Sequence, residues 1–206
     1  RTSSGSGRGS GAWPPSERPR PPPHMSDLTQ RRLDLAGTRS FAAAGAGQAR
    51  RRALADFARD WLSGRWVEAA AGEPTPGLAL AAVGSIARGD AGPLSDYDLV
   101  LLHEGRGRNT TTVDAFADRL WYPMWDSGIT IDHSVRTLAQ CRQVAATDLS
   151  AAVGLLDLSF VAGDEQVVTA ARAALAHDWR ANARKRLPEV LEAVSTRHTR
   201  MGDCAH

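Results

Sequence analysis

Two uninterrupted apolar runs most constrain what this 206-residue chain can fold into: Leu78 to Val83, and Leu99 to Leu102 within the segment Tyr97 to His103. Each is too short for a typical helix and is bounded by turn-forming residues, so both are expected to be core strands. Between them lie Gly84-Ser85-Ile86-Ala87-Arg88-Gly89-Asp90 and, after a Pro-containing turn, Ser95-Asp96-Tyr97-Asp98. Gly84 and Ser85 leave backbone amides approachable, because neither side chain is large enough to block an anion. Side chains two apart on a strand point to the same side, so Asp96 and Asp98 are expected to converge on one spot.

A small-residue turn after one strand, with two carboxylates opening the next, meets the needs of metal-dependent nucleotidyl transfer. In that chemistry charge spreads over phosphoryl oxygens in the transition state, and the protein must neutralise it and align the groups. Mg²⁺ takes oxygen ligands, and such carboxylates can bridge two ions held roughly 3.5–4 Å apart. Ser85 would add a hydroxyl donor and Arg88 a fixed charge. Singly, a D-x-D is usually a solvated strand end and a Gly-Ser a plain turn. The order of strand, small turn, Gly89, Pro93, acidic pair and second strand favours the nucleotide site.

Around this centre, Leu54, Phe57, Trp61 and Leu62 recur at helical spacing, which predicts an amphipathic helix over Gln48 to Trp66. Gly72 to Gly77 is a breaker, and Gly105 to Asn109 reads as a flexible connection. Val113, Phe116, Leu120, Trp121 and Met124 line one face of a further helix, and Ile129, Ile131, His133 and Val135 suggest a third strand. Alternation puts Asp132 opposite the isoleucines, so it points with Asp96 and Asp98 if its strand lies beside theirs. Asp132 is the candidate third carboxylate, against the alternative of a surface aspartate. Arg136 is open between holding triphosphate and pairing with a carboxylate; His133 is open between a site role and a hydrogen-bonded core residue. From Thr147 onward the chain reads as helical, with Thr147 and Asp164 as N-caps and Pro188 near the first turn of a last helix. Asp157 within this region is weighed as a support of the site against a solvated helix residue. The Arg180, Arg184, Lys185 and Arg186 cluster is weighed as an acidic-partner contact against a solvated face.

Gly84-Ser85, ten intervening residues and Asp96-x-Asp98 resemble the DNA polymerase beta-like nucleotidyltransferase superfamily. Val83 to Asp98, Trp125 to Gly128, the run His133-Ser134-Val135-Arg136-Thr137 and Leu155 to Asp164 narrow the resemblance. They are similar to the amino-terminal domain of the bifunctional uridylyltransferase and uridylyl-removing enzymes that modify the nitrogen-regulatory PII protein. The resemblance implies an α/β (α+β) fold in which a small mixed sheet carries the acids, helices flank it and a helical segment follows. It implies transfer of UMP or AMP from UTP or ATP to a tyrosine of PII. Asp96, Asp98 and Asp132 would bind Mg²⁺, and Gly84, Ser85, Arg88 and Arg136 would contact the nucleotide. A small-molecule acceptor and a non-catalytic nucleotide-binding module are the competing readings; the His133 to Thr137 run argues against the first.

Residues 1–24 are rich in Gly, Ser, Pro and Arg without apolar periodicity, so a disordered tail is expected before a nucleotidyltransferase domain over 25–145 and a helical segment over 146–206. That tail holds four Arg and one Glu, which leaves about −1 of the formal +2 charge for the rest, so net charge lends nucleic-acid binding little support. No run approaches the roughly 20 apolar residues that span a bilayer, and the amino terminus lacks the apolar core of a secretory signal, so a cytoplasmic location and no membrane partner are expected. Cys141 and Cys204 have no C-x-x-C spacing, and Cys141 reads as a packing residue. The HD and ACT domains that accompany this family are not visible, and the chain is expected to be a piece of a longer enzyme.

Overall fold

The computed structural model describes residues 26–105 and 110–201. The expectations for the first 24 residues, for the connection at 106–109 and for Cys204 lie outside these. The elements in order are α1 (Asp27–Ala36), a 3₁₀ turn (Arg39–Phe41), α2 (Gly47–Ala70), β1 (Leu78–Ala82), α3 (Gly84–Arg88), β2 (Tyr97–His103), α4 (Thr110–Asp126), β3 (Ile131–Thr137), α5 (Leu138–Thr147), α6 (Leu149–Leu156), β4 (Ser159–Gly163) and α7 (Glu165–Met201).

The strands form one mixed sheet in the order β3-β2-β1-β4, with β2 parallel to β3 and β1 antiparallel to both β2 and β4. Both central strands are covered on two faces, which is why they read as continuous apolar runs instead of alternating ones. Leu78, Leu80, Tyr97, Leu99 and Leu101 pack toward Leu62 and Trp66 of α2 and Phe116, Leu120 and Met124 of α4. Ala79, Ala81, Val100 and Leu102 pack toward Cys141 of α5, Leu155 of α6 and Val168, Ala171 and Leu175 of α7. Cys141 is fully buried there as a packing residue, and burial pushes its thiol upward.

The expected strands at 78–83 and 97–103 and the helix over 48–66 appear nearly at their expected bounds. Three expectations for the carboxy-terminal segment are corrected. Ser159–Gly163 is a strand, not helix, and it closes the free edge of β1, with Leu80 opposite Ala162. Its five residues alternate too weakly to announce a strand; what stabilises them is pairing with a distant segment. Pro188 lies inside the continuous α7 instead of opening a new helix. The cap of α6 is Asp148, whose carboxylate accepts from the Ala151 amide, not Thr147. Asp164 does cap α7, accepting from the Gln166 amide, while its other oxygen accepts from the Gly77 amide at 2.8 Å. Among the described residues no helix is long and apolar enough to cross a membrane.

Candidate active site

The parallel pairing of β2 and β3 sets Asp98 directly opposite Asp132. Residues level with each other on adjacent strands share a face, so the two carboxylates lie side by side at the start of both strands, about 4.8 Å apart in backbone. Both precede the positions, Val100 and Leu102 on β2, that dive under α5 to α7. Asp96 sits just outside β2 and is exposed. Burial raises the Asp98 carboxyl above its ordinary range, the neighbouring charges of Asp132 and Asp96 raise it further, and Arg88 partly opposes them. The sequence-predicted acids therefore act on one another electrostatically.

Gly84 opens α3 with φ 64°, the left-handed region that glycine tolerates. A Cβ built at Gly84 would overlap Oδ2 of Asp98. The smallness expected to admit a phosphate thus also admits the carboxylate. The Val83 amide donates to the Asp98 carbonyl at 2.9 Å, which ties the start of α3 to the same residue. No side chain caps this turn at Val83. Ser85 is half-buried beside it, and its carbonyl accepts from the Asp90 amide.

Arg88 is half-exposed and donates to Asp157 at 2.7 Å and to Asp90 at 3.1 Å, which raises its pKa. Asp157, the C-cap of α6, is thus tied to the site through Arg88. Arg136 is less close. It lies four residues beyond Asp132 on β3, level with Leu102 and electrostatically coupled to Cys141. At the rise of an extended strand that is roughly 13 Å from the acid pair, so Arg88 is the cation the fold brings to the acids. His133 alternates to the opposite face, where its ring lies 4.8 Å from that of Trp121 and 5.3 Å from that of Trp125. Burial lowers its pKa, which favours the neutral ring.

Among the described residues no three His, Cys, Asp or Glu side chains form a ready metal cage. The donor set is a facing pair, Asp98 and Asp132, with Asp96 at the rim. Oxygen-only donors that repel one another at close range suit a hard divalent cation.

Two residues that the sequence reading did not single out position the flanking loops. Arg59 of α2 donates to the carbonyls of Ile86 at 2.8 Å and Ala87 at 3.0 Å, holding the end of α3. Arg32 of α1 is buried and donates to the Ser95 carbonyl at 2.6 Å. A signal existed for it: Leu28, Arg32 and Leu35 share one helix face, so the arginine interrupts a core-facing stripe.

Beside this geometry of a mixed sheet with a glycine turn against paired strand carboxylates, residues 65–150 of the chain match the nucleotidyltransferase domain family. The chain carries a nucleotidyltransferase domain. Its relatives are more particular. Over 157 residues it is 48% identical to the bifunctional uridylyltransferase/uridylyl-removing enzyme of Streptomyces coelicolor, a match covering 76% of this chain and 18% of that protein. It is 36% identical over 155 residues to the enzyme of the same name from Mycobacterium tuberculosis, covering 75% of this chain and 19% of that one. The Corynebacterium glutamicum enzyme is 40% identical over 126 residues, or 61% of this chain and 18% of its own length. The chain thus spans about a fifth of the length of these relatives. A solved toxin-antitoxin structure with AMP-PNP aligns over 64% of this chain and 98% of its own, with 14% identity and a TM-score of 0.37, a likeness too slight to carry an argument.

Proposed function

We propose that this domain transfers UMP from UTP to a tyrosine hydroxyl of the PII protein in the cytoplasm, and releases pyrophosphate. The observation that carries the reading is the register of Asp98 opposite Asp132 beside the Gly84 turn, since it gathers carboxylates where a triphosphate can lie against small residues. The uridylyl specificity in the relatives' names favours UTP over ATP. In the reaction the tyrosine oxygen forms a bond to the α-phosphorus, the α–β bridging bond breaks, and its electron pair leaves with pyrophosphate while the hydroxyl proton passes to solvent. Asp96, Asp98 and Asp132 would hold Mg²⁺, which when bound neutralises phosphate charge and eases loss of that proton. Gly84 and Ser85 accommodate the phosphates, and Arg88, braced by Asp157 and Asp90, supplies a positive charge beside them. Arg136, as a second triphosphate contact, would have to reach from the far end of β3.

Pyrophosphate release measured with Mg²⁺, PII and either UTP or ATP tests this directly. Release that requires PII and UTP, and that disappears in both Asp96→Asn and Asp98→Asn, is the expected result. Triphosphate binding with no release in the parent protein would instead make the domain a nucleotide-binding module.

A further inference from the structure

Arg32 is the one charged side chain buried among the described residues, at 4% exposure, and the nucleotidyl chemistry makes no use of it. A buried cation without compensation is costly, so its partners tell what it is for. Its Nη2 donates to the Ser95 carbonyl at 2.6 Å and to the Gly92 carbonyl at 3.3 Å. These are the two ends of one turn, which also closes on itself: the Gly92 amide donates to the Ser95 hydroxyl at 2.8 Å and the Ser95 amide to the Gly92 carbonyl at 3.2 Å. The guanidinium then lies 4.8 Å over the ring of Tyr97, which meets Trp61 of α2 edge-on. Asp96 is the residue between these two anchor points, and its charge acts on Arg32.

The same helix reaches the start of the neighbouring strand. A Cβ at Gly128, just before β3, would meet the Cβ of Ser26, the N-cap of α1, at 3.0 Å. The Tyr97 amide donates to the Thr130 carbonyl at 2.9 Å, joining the first turns of chain into β2 and β3. Helix α1 therefore spans the segments that feed Asp98 and Asp132 into the sheet.

We propose that Arg32 is a positioning residue for the carboxylate cluster: its guanidinium clamps the Gly92–Ser95 turn so that Asp96 is held at the entrance of β2 and Asp98 enters the strand opposite Asp132. The role rests on the metal-dependent reading above, and it acts through the backbone, without contact to nucleotide. Lysine is a poor substitute, because one ammonium lacks the planar face that stacks on Tyr97.

The test compares Arg32→Met, Arg32→Lys and Leu28→Ala, the last removing a buried side chain from the same helix. Two readouts are taken: Mn²⁺ affinity, from the resonance signal of the free ion, and amide hydrogen exchange. Arg32→Met is expected to weaken Mn²⁺ binding by about 10–100-fold, the usual effect of removing a support of metal ligands. It is expected to speed exchange across 92–97 by about tenfold or more while β1 keeps its protection, with Arg32→Lys intermediate. Unchanged exchange across 92–97 in Arg32→Met overturns the proposal. Equal acceleration there in Leu28→Ala also overturns it, by reducing Arg32 to a packing residue. The exchange readout needs no metal, so it decides the role of Arg32 even if the parent protein binds no Mn²⁺, an outcome that would count against the metal reading alone.

Discussion

Gly84 and Asp98 come so close that the missing side chain of one is the space occupied by the carboxylate of the other. The glycine is also held at φ 64°, so an alanine there meets both a strained backbone and an occupied position. Gly84→Ala is expected to cost about 1–2 kcal/mol from the left-handed backbone alone. Displacing Asp98 should lower turnover by on the order of 10²-fold, as small misplacements of reacting groups do. Thermal unfolding and pyrophosphate release measured on the same preparation check both, and normal turnover in Gly84→Ala would show that the contact does not set the carboxylate's position.

Asp98 is destabilised as a carboxylate by burial and by Asp132 and Asp96, so its folded-state pKa lies above its ordinary value of 3.8. A raised carboxyl pKa means the folded state holds its proton more tightly than the unfolded state does. Stability is therefore lost as pH rises from 3.8 through the folded value, and the loss is complete above it. Asp98→Asn removes that charge permanently. It is expected to unfold at a higher temperature than the parent near pH 7 without metal, to lose this advantage below pH 3.8, and to lose turnover by orders of magnitude. Added Mg²⁺ should raise the parent's unfolding temperature and leave that of Asp98→Asn nearly still. A variant less stable than the parent at pH 7 would show that the acids are not in conflict.

The acid pair is half legible in the sequence. Tyr97 to His103 can be read from apolar pattern, as can a strand over Ile129 to Val135 that begins two residues before β3 and stops two short of its end, and alternation fixes which face Asp98 and Asp132 take. That these strands are neighbours, in parallel and in this register, depends on α4 crossing over between them, and no local pattern encodes it. Ser159 to Gly163 is hidden for a related reason: an edge strand of five residues is stabilised by Leu80 and its neighbours on β1, far away in sequence. Arg32 betrays its burial by interrupting an apolar helix face, but the partners of Arg32 and Arg59 are backbone carbonyls, which look alike in every sequence. By contrast, the helix face of Val113, Phe116, Leu120 and Met124 is plain because a 3.6-residue period needs no distant partner.

Arg88 is held by Asp157 and Asp90, with its side chain and both partners partly open to solvent. Exposed pairs contribute little to stability, so a double-mutant cycle on Arg88→Ala and Asp157→Asn should return a coupling of about 0.2–1 kcal/mol. Turnover should respond more strongly than stability. Arg88→Ala removes the cation near Asp98, whereas Asp157→Asn leaves Arg88 anchored by Asp90 alone, so the first should lose more activity than the second. Equal losses would mean Asp157 has its own role at the site.

His133 follows Asp132 in sequence but faces away from it, into the groove between Trp121 and Trp125. Adjacent residues on a strand serve opposite faces, so proximity in sequence to a site acid is no argument for chemistry. Burial already favours the neutral ring, which suits packing between two indoles. His133→Phe keeps a flat ring in that place and is expected to leave turnover near that of the parent. His133→Ala forfeits two aromatic contacts, each worth about 0.5–1.5 kcal/mol, and should unfold at a lower temperature while its folded fraction stays active. Rates corrected for folded fraction separate the two possibilities, because loss of turnover in a well-folded His133→Phe would require the imidazole itself to take part in the reaction.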